Sequence, residues 1–196
     1  MGAPDQGDPV GLKQRYAIFL RGVNVGGITV RMADLRSVLG TLPLTDVATV
    51  LASGNVTCTS ELNAAAIKDL VEDALRRRFR YQAWVIVVRR ADLAAVAASV
   101  PTRPDGGDGT SVAPPDVHTY VTLFTGRDEL TAFLDDANGI EEQPTVLAGR
   151  TAVAWFSPKG RSTDVPLAKL LARSRFAAVS TTRNINTIEK VLGLLG

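Results

Sequence analysis

The segment LRGVNVGG, residues 20–27, separates a short apolar run from a helical pattern and so sets the first strand, loop and helix of the chain. The apolar run, residues 16–20, predicts a strand, and the helical pattern opens near Met32. Glycine tolerates positive φ and lets a ligand approach the backbone, while Arg21 and Asn24 supply hydrogen-bond donors. We therefore expect an anion-binding loop at the end of the first strand.

Outward from this loop, the first part of the chain predicts the element order βαββαβ. Ser53, Gly54 and Asn55 form a tight connection between the second and third strands, because Gly and Asn both tolerate left-handed backbone. Asn63 is placed to cap the second helix. The strands of this half are predicted at residues 16–20, 47–51, 56–59 and 84–88.

The second part of the chain predicts the same order without a visible repeat of sequence, and a final helix with Ile185 on its apolar face closes the chain. The expected fold is α+β, with two ferredoxin-like βαββαβ halves packed together and an extra C-terminal helix. The predicted strands of the second half are residues 117–124, 145–147, 151–156 and 177–180. The predicted segments are a disordered tail at 1–14, a first half at 15–100, a Pro/Gly-rich linker at 101–116 and a second half at 117–196.

Composition indicates an ordinary soluble globular protein of 196 residues, 45% hydrophobic and 21% charged. The formal net charge of +2 is too small to indicate an anionic membrane or nucleic acid as the partner. No apolar run is long enough to span a membrane, and the N-terminal residues lack the apolar core of a secretion signal. A single cysteine, Cys58, fits a reducing compartment, so we expect a cytoplasmic location.

A basic cluster near the end of the second helix is the one local departure from this neutral balance. It is predicted to be a solvated helix end favoured by the helix dipole, with a nucleic-acid patch as the alternative. Aromatic residues make up only 6% of the chain, so nucleic acid is not an expected partner. The cluster consists of Arg76, Arg77, Arg78 and Arg80.

Known catalytic and cofactor motifs are absent from the sequence. The glycine segment is neither GxGxxG nor GxxxxGK[ST], and no HExxH or CxxC spacing is present, so neither a cofactor nor a metal is expected. Cys58 and His118 both lie in alternating runs typical of strands, which favours structural roles over nucleophilic catalysis. The sequence leaves open whether the protein is an enzyme, and it carries no signal on oligomeric state.

Three polar clusters lie next to predicted strand ends. The third precedes the final helix, where backbone N–H groups and the dipole favour an anion, and we expect it to share one pocket with the first. Turn chemistry and helix capping by Thr182 or Asn184 are the structural alternative. The candidate ligand-binding residues are Arg21, Gly22, Asn24, Gly26 and Gly27 in the first cluster, Ser53 and Asn55 in the second, and Thr182, Arg183 and Asn184 in the third.

Four motifs in this order resemble the bacterial family called domain of unknown function 1697. They are LRGVNVGG, MADL at 32–35, LASGNV at 51–56 and STTRNINTIEKV at 180–191. The resemblance implies two ferredoxin-like halves and no established activity. The family usually carries an aromatic where this chain has Ile185, and lysine or asparagine within the segment that is here ITVR, residues 28–31.

The sequence is compatible with functions of three classes. The first is binding of a small phosphate- or carboxylate-bearing ligand at the glycine segment, with an acylphosphatase-like hydrolase using Arg21 and Asn55 as its enzymatic version, by fold analogy. The second is a nucleic-acid-binding module. The third is a structural or interaction protein whose loops are shaped by turns alone.

Overall fold

The computed structural model describes residues 12–21, 30–52, 54–80, 84–102 and 117–196. The chain divides into two compact units. The first unit runs up to Arg90 and also contains Val191–Gly196, and the second is formed by Ala91–Lys190. Each unit contains one four-stranded antiparallel sheet.

The first unit has the strand order β2-β3-β1-β4, which is that of a ferredoxin-like sheet. Its strands are β1 (Gln14–Arg21), β2 (Thr45–Val50), β3 (Asn55–Ser60) and β4 (Trp84–Arg89), and its helices are α1 (Met32–Leu39) and α2 (Ala64–Phe79).

One face of this sheet packs against α1 and α2. Alternate residues of β1, including Ile18 and Leu20, meet the buried face of α2 in a single apolar core. The α2 helix begins where the sequence predicts, because the Asn63 side chain accepts a hydrogen bond from the Ala66 N–H at 2.8 Å. It ends at Arg80, whose left-handed backbone forms the C-cap.

The second unit repeats the topology, with the strand order β6-β7-β5-β8. Its core contains an aromatic cluster, in which the Phe133 ring lies 5.2 Å from Phe124 and 5.4 Å from Phe176, centroid to centroid. Its strands are β5 (Val117–Phe124), β6 (Thr145–Val146), β7 (Ala152–Pro158) and β8 (Ser180–Asn184). Its helices are α3 (Arg90–Ala98), α4 (Arg127–Ala137), α5 (Pro166–Leu171) and α6 (Ser174–Ala177), with a short 3-10 turn at Ala148–Arg150. The first residue of α3, Arg90, belongs to the first unit, and the rest of the helix belongs to the second.

The last strand of each βαββαβ set leads directly into a helix. Strand β4 is followed at once by α3, and β8 by α7 (Ile185–Leu195), the predicted closing helix. The apolar residues Ile188, Val191 and Leu195 of α7 are buried. The predicted α+β fold of two βαββαβ halves with an added C-terminal helix is confirmed.

The eighth strand was predicted too early in the chain. Residues 177–180 were expected to form it, but α6 ends at Ala177 and β8 begins at Ser180. The short apolar run fits either structure, and burial of Phe176 in the core favours the helical turn. The β-branched threonines that follow form the strand instead.

Two of the predicted segment boundaries differ from the bounds of the observed elements and units. Strand β1 already begins at Gln14, and the helix expected before residue 100 lies in the second unit. Residues 1–11 of the predicted tail and 103–116 of the predicted linker lie outside the described residues.

Candidate functional site

Arg21 is the last residue of β1 and the last described residue before the glycine segment. It is half-buried and pairs across the sheet with Trp84 of β4. Desolvation by burial lowers the pKa of its guanidinium. The side chain forms no hydrogen bond or ion pair with the described residues. A cation is thus held partly out of water at the point where the chain enters the glycine segment.

Asn55 begins β3 and is fully buried. Its side-chain amide donates a 2.9 Å hydrogen bond to the carbonyl oxygen of Val50, which closes the β2–β3 hairpin. The same turn is tied to β1, because the Leu20 N–H donates to the Gly54 carbonyl at 2.7 Å. Asn55 therefore performs the turn chemistry that was the structural alternative for this cluster.

Arg21 and Asn55 lie on the same face and at the same end of the first sheet. Leu20 points into the helix-side core, so Arg21 points to the opposite face, as does Phe19, which pairs with Asn55. Arg21 lies two residues beyond Phe19 on β1, so it is a diagonal neighbour of Asn55 across the strand pair, and such diagonal neighbours are roughly 7–8 Å apart. The sheet thus brings Arg21 of the first predicted cluster near Asn55 of the second. Gly22, Asn24, Gly26, Gly27 and Ser53 lie outside the described residues.

The third cluster directly precedes the final helix, as the sequence predicts, but its residues form a strand. Thr182, Arg183 and Asn184 belong to β8, and α7 begins at Ile185. Because side chains alternate along a strand, Thr182 and Asn184 point to one face of the sheet and Arg183 to the other. These three side chains therefore do not form a single cluster at a helix terminus.

Arg183 forms hydrogen bonds with two neighbouring residues of its own strand. Its guanidinium donates to the Thr181 hydroxyl at 2.8 Å and to the Thr182 carbonyl at 2.9 Å. Desolvation by burial lowers the pKa of this guanidinium to about 10. Arg21 and Arg183 belong to different units, and their shared pocket stays a prediction.

On the helix-facing side of the second sheet, hydroxyl and indole groups form a chain across three strands. The Trp155 N–H of β7 donates to the Thr122 hydroxyl of β5 at 2.9 Å, and that hydroxyl lies 2.8 Å from the Thr182 hydroxyl of β8. Thr122 is fully buried, so these bonds satisfy polar groups that water does not reach. The role of Thr182 seen in the structure is a bond within the sheet.

Asn184 caps α7. Its side-chain oxygen accepts a 2.9 Å hydrogen bond from the Asn186 N–H, which is the capping role given as the alternative. The amide nitrogen of Asn184 lies 3.4 Å from Nδ1 of His118 on β5. His118 is thereby placed beside a helix start, and the contact is long for a hydrogen bond.

The described residues offer little for catalysis or metal binding. Cys58 is buried, and desolvation raises the pKa of its thiol to about 12, so at neutral pH it stays protonated and a poor nucleophile. No group of three or more His, Cys, Asp or Glu side chains in the described part of the chain is placed to hold a metal ion. None of the described helices is long and apolar enough to cross a membrane.

The basic cluster at the end of α2 is partly neutralised by its own helix. Arg76 and Arg77 both pair with Asp73, one turn earlier, and the Arg78 guanidinium lies 5.5 Å from the Phe79 ring centroid. All three arginines are exposed. These contacts are those of a solvated helix end.

A polar cleft of about 380 Å³ in the first unit has no local signal in the sequence. It depends on a β-bulge in β2 and on the packing of the chain's last residues, and neither is encoded by a motif. The residues that line it are Arg15, Asp46, Thr57, Cys58, Thr59, Leu194, Leu195 and Gly196.

The observed topology defines the class: an α+β protein whose two units each carry a ferredoxin-like sheet. The chain belongs to the family described as protein of unknown function (DUF1697), whose model matches residues 13–150. The match includes the first three sequence motifs and ends before the fourth, at 180–191.

A solved structure supports the fold over nearly the whole chain. The conserved bacterial protein SP0830 from Streptococcus pneumoniae superposes with a TM-score of 0.74 at 22% sequence identity, covering 94% of this chain and 100% of that one. This likeness shows the fold. A search of curated proteins found no match.

Proposed function

We propose that the protein binds a small phosphate- or carboxylate-bearing ligand where β1 ends and the glycine segment begins. The observation that carries the proposal is the Arg21 guanidinium, whose pKa is lowered by burial and which has no partner among the described residues. Partial removal of a cation from water costs free energy, and an anionic ligand at that position offsets the cost.

The length of the connection after β1 supports the same site. In the second unit, β5 reaches α4 through residues 125–126 alone, whereas in the first unit residues 22–31 separate β1 from α1. The topology is the same, so the added residues are not needed to connect the strand to the helix. Glycines and an asparagine directly after an arginine provide backbone donors suited to an anion.

The acylphosphatase-like version of this function has weaker support. It requires the Asn55 amide to orient a water molecule, but that amide is buried and donates to the Val50 carbonyl. A binding function needs only Arg21 and the segment that follows it.

The test is titration of the protein with inorganic phosphate and with acetate, followed by calorimetry, for wild type and Arg21→Gln. We expect wild type to bind at least one of these anions, and Arg21→Gln to bind it at least about tenfold more weakly, as loss of a charge-assisted hydrogen bond implies. Arg78→Gln is the matched control, because Arg78 is an exposed arginine far along the sequence on α2.

Thermal unfolding separates a binding role from a structural one. A drop in melting temperature of more than about 8 °C for Arg21→Gln, corresponding to roughly 2 kcal/mol or more in a chain of this size, would make Arg21 a structural residue. Equal anion affinity in Arg21→Gln and wild type would overturn the proposal, as would the absence of binding by wild type.

A further inference from the structure

We propose, building on the function proposed above, that the ligand at Arg21 is a nucleoside 5′-monophosphate. Its phosphate binds the Arg21 guanidinium, and its base stacks on the indole of Trp84, the first residue of β4. The function proposed above requires only an anion at Arg21. Trp84 is the residue that narrows the class of ligand.

Strand pairing places Trp84 directly beside Arg21. The two residues are partners in the antiparallel register of β1 and β4, so their side chains leave the sheet on the same face. The Cβ atoms of such directly opposite residues are roughly 4.5–5.5 Å apart. Val85, the next residue of β4, belongs to the core shared with α1 and α2, and Trp84 does not. The indole and the guanidinium therefore share the face of the sheet opposite to its helices.

The pair forms the last row of that face. In the row before it, Asn55, Phe19 and Ile86 pair across β3, β1 and β4, and their exposed fractions are 0%, 0% and 7%. Arg21 and Trp84 are only partly buried. A ligand can therefore contact both side chains of the last row, whereas those of the row before it are covered.

The indole of Trp84 has no partner among the described residues. Its N–H forms no hydrogen bond with them, and none of their aromatic rings or guanidinium groups lies against it. Trp155, the other tryptophan, differs in both respects, because its N–H donates to Thr122 and its ring stacks on Tyr120. Trp84 therefore has an aromatic face and a hydrogen-bond donor that the described part of the chain leaves unused.

The combination of a guanidinium and an indole selects the chemistry of the ligand. A guanidinium binds phosphate through paired N–H donors, and an aromatic side chain stacks on a nucleobase of any kind. Inorganic phosphate or a simple carboxylate would contact Arg21 and leave the indole unused. A nucleoside 5′-monophosphate carries both groups in one small molecule. A single pair of this kind suits one nucleotide, whereas a nucleic-acid strand is held by several stacking residues along a charged groove.

The experiment is calorimetric titration of the full chain with AMP, GMP, CMP and UMP, and with ribose 5-phosphate, which has the sugar and the phosphate but no base. We expect at least one nucleotide to bind at least about fivefold more tightly than ribose 5-phosphate, as stacking of one base implies. Equal affinity for ribose 5-phosphate and every nucleotide overturns the assignment of the ligand, and so does binding of inorganic phosphate or acetate without binding of any nucleotide. In both cases the anion site at Arg21 still stands. If none of these compounds binds, the anion site fails as well.

Variants of Trp84 test the indole separately. Trp84→Leu removes the aromatic face, and Trp84→Phe keeps one. We expect Trp84→Leu to lower the affinity for the nucleotide to that for ribose 5-phosphate, and Trp84→Phe to bind the nucleotide within about threefold of wild type. Unchanged affinity of Trp84→Leu for ribose 5-phosphate excludes misfolding as the cause of the loss. If Trp84→Leu binds the nucleotide as wild type does, the indole has no role and the assignment fails.

Fluorescence tests the stacking with the site itself unchanged. Trp84 and Trp155 are the two tryptophans of the chain, so Trp155→Phe leaves Trp84 as the sole indole. A base stacked on an indole quenches its emission. We expect the nucleotide at saturation to quench the emission of Trp155→Phe, and ribose 5-phosphate to leave that emission unchanged. Trp84→Phe, which retains only the buried Trp155, is the control and should show no quenching with either compound. Absence of quenching in Trp155→Phe at saturating nucleotide overturns the assignment.

Discussion

The two sheets have the same topology and the same register but different chemistry at their centres. In the first sheet Tyr16 pairs with Cys58, and in the second Tyr120 pairs with Trp155 at the equivalent position. The pairing of Ile18 with Val56 and Val87 in the first sheet corresponds to the pairing of Thr122 with Val153 and Thr182 in the second.

The helix-facing centre of the first sheet is therefore apolar, whereas that of the second holds the hydroxyl and indole chain of Thr122, Thr182 and Trp155. In the second sheet the buried Thr122 hydroxyl is hydrogen-bonded to side chains of both neighbouring strands. Strand order and helix cover therefore do not dictate a purely apolar centre. A polar group is accepted there when its partners lie on the neighbouring strands.

Exchange of chemistry between the sheets tests this directly, and the largest effect is expected for Ile18→Thr. The new hydroxyl would lie between Val56 and Val87, which offer no side-chain partner, and apolar volume would be lost as well. We expect unfolding to become easier by about 2–4 kcal/mol, measured by urea denaturation.

Ile18→Val is the control for the loss of volume, with an expected cost of about 1 kcal/mol. If Ile18→Thr costs no more than Ile18→Val, the first sheet accepts a buried hydroxyl as readily as the second, and the contrast between them has no energetic basis.

The reverse change, Thr122→Val, should have a smaller effect of about 1–3 kcal/mol. Valine keeps the shape but leaves the Trp155 N–H without its acceptor and the Thr182 hydroxyl without its partner. Thr122→Ser retains the hydroxyl and should cost less. Adding Trp155→Phe to Thr122→Val should recover part of the loss, because the buried donor is then removed too. Equal stabilities of the Val and Ser variants would show that the chain of hydrogen bonds contributes nothing.

The topology was predictable because periodicity and turn residues mark each element. The Asn63 cap and the hairpins near Gly54 and Gly149 have local signals, and the structure has them where expected. The apolar face of α2 is buried at Ile67, Val71 and Leu75, but Leu70 is exposed. The internal repeat is invisible in sequence because equivalent positions, such as Cys58 and Trp155, share burial and pairing but not residue type.

The candidate site was predictable only in part. The pairing of β1 with β3 places Arg21 near Asn55. Neither the glycine segment nor the turn at residues 53–55 encodes the register of that pairing. Arg183 is predicted to lie at the start of the final helix, but β-branched residues favour strands, and here the strand extends up to the residue before that helix. The cleft at Asp46 depends on a β-bulge in β2, and no residue type in the sequence predicts that bulge.

The smallest expected effect concerns the pH dependence of the first sheet alone. Burial raises the pKa of the Cys58 thiol from 9.0 to about 12, because the apolar centre disfavours the thiolate. The unfolded chain ionises this thiol above pH 9, so the stability that Cys58 contributes is complete below that pH and is lost as pH rises toward 12. Wild type should therefore lose about 1 kcal/mol relative to Cys58→Ala between pH 7 and pH 10, measured by urea denaturation of both. Taking the difference between the two proteins cancels the titration of every other group.

At the equivalent position of the second sheet, Trp155→Phe removes no ionisable group, so its difference in stability from wild type should stay constant over the same pH range. A pH-independent difference for Cys58→Ala would mean that the centre of the first sheet admits a charge, which contradicts its apolar character.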